Sequence, residues 1–276
     1  MAKKANKQLP QKTCTAQNYK NKEKTDTFGQ LKILNYNCRG LASEARLVEM
    51  EAALAKVEWD IIGLSEVKRK GEGLFLRKSG NYFYFFGETP GQKGVGFLFK
   101  KEIWNKIQEI KSINERIAVA KMVVGDDAVL TIIQCYAPTA GAEEKAKEDF
   151  YARLQETLDA EKEKMVIVMG DLNGKVGINE IEEPCVGKFG LGDRNPEGER
   201  IIEFARTNNL KIANTFFWKR AERRWTWISP NGDSKNEIDY CLTDAGLVVK
   251  DYSIISKFEF SSDHRLGRCV IKVPHR

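Results

Sequence analysis

The chain has 276 residues, 42% of them hydrophobic and 30% charged, which excludes a wholly disordered chain and is enough to bury a core without disulfides or a structural metal. No run approaches the ~18 apolar residues of a membrane span, and the lysine-rich start lacks the apolar stretch of a secretory signal. Of the net charge of +6, five charges fall in residues 1–30, where seven lysines face only Glu23 and Asp26. The basic balance therefore belongs to a tail, expected to be a disordered extension or else a targeting or nucleic-acid arm, while residues 31–276 read as one nearly neutral domain.

After the tail, strand and helix patterns alternate. Leu31–Asn37 reads as a strand. A helix follows, with Ser43 as N-cap and Leu47, Met50, Leu54 and Val57 on one face. Trp59–Val67 is a second strand, apolar on both sides as in a buried sheet. Tyr82–Phe86 pairs with Gly94–Phe99, and Ile117–Val124 with Val129–Tyr136. Residues 142–164 read as a long helix and Met165–Met169 as a short buried strand. Residues 172–196 form a long loop, followed by a helix over Gly198–Asn208 and a strand beginning at Lys211. Arg224–Ile228 and Glu237–Leu242 flank Pro230-Asn231-Gly232, a hairpin signal. Tyr252–Glu259 and Gly267–Val273 close the chain. Paired strands outnumber crossover helices, which favours two sheets packed face to face with helices outside.

Six cysteines show no CxxC spacing, and a single histidine lies away from the C-terminus, so no zinc site is expected. Free thiols without a secretory signal point to the nucleus or cytoplasm.

The informative feature is where polar residues interrupt or end the apolar runs: Asn37, Glu66, Tyr136, Asp171, Asn173, Asn214, Asp239, Asp263 and His264. One such residue is a turn cap; a set of them at successive strand ends converges on one rim, where sites in layered α/β folds are built. Glu66 and Asn37 offer oxygen ligands suited to Mg²⁺. A lone histidine beside an aspartate suggests a carboxylate-oriented imidazolium. Asp171 suits proton transfer, and Asn173 and Tyr136 suit donation to a phosphate oxygen. Together they describe phosphate-ester hydrolysis.

The strings Leu34-Asn35-Tyr36-Asn37-Cys38-Arg39-Gly40-Leu41, Leu64-Ser65-Glu66, Cys135-Tyr136-Ala137-Pro138-Thr139, Gly170-Asp171-Leu172-Asn173, Ile238-Asp239-Tyr240 and Ser262-Asp263-His264 resemble, in order, the motif series of the endonuclease/exonuclease/phosphatase superfamily. More narrowly, the blocks at 198–204, 213–217 and 225–232 resemble the endonucleases of RTE/BovB-type non-LTR retrotransposons and the craniofacial development protein 2-like group. The resemblance implies a four-layer α/β sandwich: two mixed sheets with helices on both outer faces. It implies Mg²⁺, replaceable by Mn²⁺, held by Glu66 with Asn37 nearby and Asp263 as a weaker ligand. It implies that Asp171 activates or orients water, that Asn173 and Tyr136 contact the phosphate, and that His264, oriented by Asp239, stabilises charge at phosphorus.

DNA is the implied substrate, with Arg39, Asn214, Arg223, Arg224, Thr226, Asn231 and Lys235 as its expected contacts and the hairpin from Thr226 to Asp239 choosing the target. Arg39 reads equally as a salt-bridge partner, the run at 219–224 as a solvated loop, and Trp218, Trp225 and Trp227 as core. The leading reading is a nicking DNA endonuclease. The alternatives are another phosphoesterase of the same fold (an abasic-site nuclease, a deadenylase, or a lipid or sugar phosphatase) and a catalytically silent DNA-binding derivative. Retrotransposon proteins of this type continue into a reverse transcriptase, so a sequence ending at Arg276 reads as a fragment or a stand-alone derivative.

Overall fold

A computed structural model describes residues 29–125, 128–161, 165–179 and 183–273. Apart from its last two residues, the tail expected over 1–30 lies outside the described residues.

In chain order the elements are β1 (Gln30–Asn37), α1 (Glu44–Leu54), β2 (Ile61–Ser65), β3 (Gly71–Leu76), β4 (Tyr82–Gly87), β5 (Val95–Phe99), β6 (Ile107–Asn114), β7 (Ile117–Val124) and β8 (Ala128–Tyr136). They continue with α2 (Glu144–Ala160), β9 (Met165–Asp171), α3 (Pro196–Thr207), β10 (Leu210–Ile212), β11 (Trp227–Ile228), β12 (Lys235–Asn236), β13 (Asp239–Asp244), β14 (Val249–Ile255) and β15 (Leu266–Lys272). One sheet runs β14-β15-β1-β2-β5-β4-β3, the other β10-β13-β9-β8-β7-β6. Each is mixed: β1–β2 and β8–β9 pair in parallel, and every other pairing is antiparallel.

Three apolar clusters define four layers. Leu31, Ile33, Phe97, Ala120, Ile132 and Met169 fill the space between the sheets. Leu47, Met50 and Leu54 of α1 pack with Leu34, Ile62 and Phe83 on one outer face. Phe150 and Leu154 of α2, with Ile201 and Phe204 of α3, pack with Ile133 and Val168 on the other. The helix ends follow their sequence signals: the Ser43 side chain accepts from Arg46 N, and Asn195, before Pro196 at the first turn, accepts from Gly198 N.

Two strands escaped the sequence reading. In β6 the apolar Ile107, Ile110 and Ile113 recur every third residue, which hides a strand period, and β3 carries Gly71 and Gly73. Both are edge strands, where one-sided burial weakens the pattern. The expected hairpin is also corrected. Only two residue pairs close it, Trp227↔Asn236 and Ile228↔Lys235. Beyond them, Ile238 N and Asp239 N donate to Thr226 Oγ1, and the chain leaves the ribbon to pair β13 with β9. The strand expected from Lys211 to Asn214 stops at Ile212, and Asn214 lies in the 3-10 turn that follows.

The helices α1 and α2 are the crossovers of the two parallel pairs, so the carboxyl ends of β1, β2, β8 and β9 meet at one rim. A buried polar seam lies just beneath it: Gln134 Nε2 donates to Ser65 Oγ at 2.9 Å and to Asn35 Oδ1 at 3.3 Å. Gly170 lets β8 and β9 close up, since a Cβ there would stand 1.8 Å from the Cys135 carbonyl oxygen. Gly170→Ala is therefore expected to cost about 1–3 kcal/mol by overpacking, read as a lowered denaturation midpoint. Unchanged stability would show that the two strands are not held this tightly.

Candidate active site

At that rim the strand ends supply Asn37 from β1, Glu66 just past β2, Tyr136 from β8 and Asp171 from β9. Asp239 opens β13 directly opposite Asp171, and His264 precedes β15 in a bridge to Trp227. Arg39, Glu66 and Asn173 take left-handed backbone angles (φ 49°, 54° and 50°), strain that gathers where chemistry is done.

The polar contacts are continuous. Asn37 Nδ2 donates to Glu66 Oε1 at 3.1 Å and to Asp171 Oδ2 at 2.9 Å. Tyr136 OH donates to Glu66 Oε1 at 3.0 Å. Asn173 N donates to Asp171 Oδ1 at 3.1 Å, and its amide nitrogen to Ala137 O at 2.9 Å. His264 Nδ1 lies 2.8 Å from Asp239 Oδ2, and its Nε2 lies 3.7 Å from Asp171 Oδ2. Asp171, Asp239 and His264 are all buried.

Burial sets the charges. It pushes Asp171 up to about 7, with Asp239 adding to the rise and His264, Asn37 and the Asn173 N–H opposing it. Burial alone would lower His264, but Asp239 and Asp171 outweigh it and raise the imidazole to about 9, so it is an imidazolium at neutral pH. Burial would also raise Glu66, yet Lys68, Asn37 and Tyr136 outweigh it and hold Glu66 below its ordinary value, an ionised carboxylate. Ligand atoms of Asp171, Asp239 and His264 lie within 4.8 Å of one another, a donor set able to hold a metal. A protonated His264 already answers the two carboxylates there, so a cation is better served at Glu66.

Several expected roles need correction. Asn37 turns its amide nitrogen to the carboxylates, because its oxygen accepts Arg39 N at 3.0 Å; it offers no oxygen ligand as placed. Asp263, the weaker expected ligand, has its Oδ2 paired with Arg39 Nη1 at 3.0 Å and accepting Trp227 Nε1 at 3.3 Å. Arg39 is thus a salt-bridge partner, though its side chain stays half exposed. Asn214, Thr226 and Arg224, expected at DNA, are buried. Arg224 Nη2 lies 3.2 Å from Glu237 Oε2 and donates to the carbonyls of Asn214 and Phe189. Asn214 donates to Glu237 and to the Asp239 carbonyl. These three hold Asp239 from below. Arg223, Asn231 and Lys235 are exposed.

Residues missed in the sequence include Lys68, whose Nζ lies 2.8 Å from Glu66 Oε2, and Ser262, whose Oγ donates to Asn37 O and accepts His264 N. Arg116 also went unnoticed; its Nη1 donates to the Tyr136 carbonyl and its guanidinium lies over the Tyr136 ring. The spacing Glu66-x-Lys68 and the Ser262-Asp263-His264 string held the signal for the first two.

The model of the endonuclease/exonuclease/phosphatase family matches residues 34–264, and the chain belongs to that family. It is 35% identical over 238 residues to craniofacial development protein 2 of Bos taurus, covering 85% of this chain and 40% of that protein; the chain thus spans well under half the length of this relative. It is 32% identical over 178 residues to exodeoxyribonuclease III of Haemophilus influenzae, covering 60% of this chain and 62% of that one. Among solved structures, the endonuclease domain of TRAS1, a telomere-specific non-LTR retrotransposon, shares the fold, with a TM-score of 0.60 at 12% identity over 88% of this chain and 99% of that one. The sandwich expected from the sequence is the one observed, and membership supports hydrolysis of phosphate esters. Among the described residues no helix is long and apolar enough to cross a membrane.

Removing one partner of the buried pair beneath Asp239 should be severe. Arg224→Ala is expected to cost about 3–5 kcal/mol, since it leaves Glu237 buried without its cation, measured by chemical denaturation at neutral pH. A loss typical of a surface residue would contradict the interior placement of Arg224.

Proposed function

We propose that the chain is a divalent-metal-dependent endonuclease that nicks DNA, with Mg²⁺ as the natural ion and Mn²⁺ able to replace it. The observation that carries the reading is the meeting of Asp171, His264, Asn37, Glu66 and Tyr136 in one continuous polar cluster at the rim. Glu66 fits a hard cation: it is ionised, partly exposed, and already holds a positive charge, the Lys68 ammonium, at 2.8 Å. Glu66 would hold the metal, which when bound supplies Lewis-acid stabilisation of charge on the phosphoryl oxygens. Asn37 would contribute an oxygen only with its amide turned over.

The chain's own groups divide the remaining work. Asp171, once ionised, accepts the proton of the attacking water, and the Asn173 N–H fixes the orientation of its carboxylate. His264 Nε2 carries the proton that bonds to a phosphoryl oxygen as charge builds, while Asp239 keeps the ring charged and aimed. The Asn173 amide keeps a second N–H, beyond the one given to Ala137, for a phosphoryl oxygen, and Tyr136 would donate there on releasing its bond to Glu66. DNA as substrate is supported by the names of the nuclease relatives, and nicking by the resemblance to retrotransposon endonucleases.

Supercoiled plasmid should be nicked with Mg²⁺ and left intact with EDTA, which also separates an endonuclease from an enzyme that needs strand ends. Asp171→Asn and His264→Ala should each lose roughly two or more powers of ten in rate. The rate should rise with pH as Asp171 ionises near 7 and fall as His264 deprotonates near 9. Nicking at the wild-type rate by His264→Ala would sink the assignment.

A further inference from the structure

The outer face of the hairpin ribbon carries cations that the chemistry above does not use. Residues 226–228 run against 263–265: Trp227 bridges His264, Ile228 N donates to Asp263 O, and Arg265 N donates to Thr226 O at 2.7 Å. His264 turns inward to Asp239. Arg265, the next residue, turns outward. Its guanidinium carbon lies 3.1 Å from the centre of the Trp225 ring, and its Nη1 donates to the Glu222 carbonyl at 3.0 Å. The Lys235 ammonium lies 5.4 Å from the same ring.

Charge on this face is uneven. Arg39, Lys219 and Arg224 nearby are each ion-paired, to Asp263, Asp251 and Glu237. Among the described residues Arg265, Lys235, Arg223 and Arg220 have no ion pair with a carboxylate. Besides Asp263 and Glu237, paired to Arg39 and Arg224, the acidic groups close in sequence are Glu222, exposed and touching Arg265 through its backbone oxygen, and Asp233, which accepts from Asn231 Nδ2 at 2.7 Å. A guanidinium seated over an indole keeps its charge and loses most of its side-chain freedom. Only one N–H of its side chain is spent on Glu222, so the fork remains available for two parallel bonds to a phosphate. A stack made only for packing has no need of an unpaired cation beside it at a site one residue from the imidazole.

We propose that Arg265, held over the Trp225 ring and flanked by Lys235, is a phosphate-binding residue that grips the DNA strand beside the phosphate being cleaved; this rests on the reading that DNA is the substrate. The contact is to the backbone, so it sets affinity and register and leaves sequence choice to the hairpin tip.

The test is fluorescence anisotropy of a short fluorescein-labelled duplex across a salt series in EDTA, where binding is read without cleavage. Arg265→Gln should bind roughly ten- to a hundredfold more weakly, as for loss of a charge-assisted bond, with a salt slope shallower by about 0.9 for the lost phosphate contact. Arg265→Lys should keep the wild-type slope yet bind more weakly, because the charge stays and the planar fork goes. Lys235→Gln, at an exposed position, should also flatten the slope. Wild-type affinity and slope in Arg265→Gln overturn the proposal and leave the substrate reading standing. Should that variant not fold, wild-type affinity in Arg265→Lys overturns it instead. Wild-type protein that binds no duplex even at low salt overturns both.

Discussion

A histidine buried between two carboxylates is the interaction on which the rim depends. Taking ions out of water costs several kcal/mol each, and attraction offsets this only when the geometry is held. With the imidazole charged, its proton-bearing nitrogens face the carboxylates of Asp171 and Asp239; without that proton the two carboxyl groups meet in a dry site with no cation between them. The fold therefore has to fix three backbone segments against one another. The pairing of β9 with β13 sets Asp171 beside Asp239. The two-residue ribbon and its bridge bring His264 to them. Arg224, Glu237, Asn214 and Thr226 brace Asp239 from beneath, which explains why a buried ion pair stands so near the reacting groups.

The same cluster joins the two sheets. Asn37 belongs to one sheet and reaches Asp171 of the other, and His264, leading into β15, reaches Asp239 of β13. Tyr136 returns the link to Glu66. Below these, Gln134 bonds across to Ser65 and Asn35. Each of these seam residues lies one or two positions before a rim residue, so the seam and the site share their strands. Sheet packing and site geometry are one constraint, and a change that shifts one sheet against the other displaces the donor set of the reaction.

Much of this was legible in the sequence because polar residues that end apolar strands stand out. Asn37, Glu66, Tyr136, Asp171, Asp239 and His264 were found that way, and the structure brings all six together. Other parts were hidden for physical reasons. Residue type does not tell which end of the Asn37 amide faces a carboxylate; that is fixed by the Arg39 N–H, a contact that follows from left-handed backbone at Arg39. Arg224 looked like one more cation in a basic run, and only a carboxylate thirteen residues on, Glu237, lets it be buried. Asp263, expected at the metal by its place beside His264, forms an ion pair with Arg39, a partner 224 residues away that no local pattern reveals. The basic run itself divides into an interior brace and an exposed remainder, a distinction that needs the fold.

The most direct measurement is the titration of His264 by NMR in metal-free protein labelled at histidine. The chain has two histidines, His264 and His275, so a His264→Gln spectrum assigns the signals. His264 should remain an imidazolium through neutral pH and titrate near 9, above the ~6.5 of an unperturbed histidine. The stability it contributes should be complete below about 6.5 and lost as pH rises through 9. A His264 that is neutral at pH ~7, titrating at or below the unperturbed value, would contradict the charge arrangement on which the proposed reaction rests.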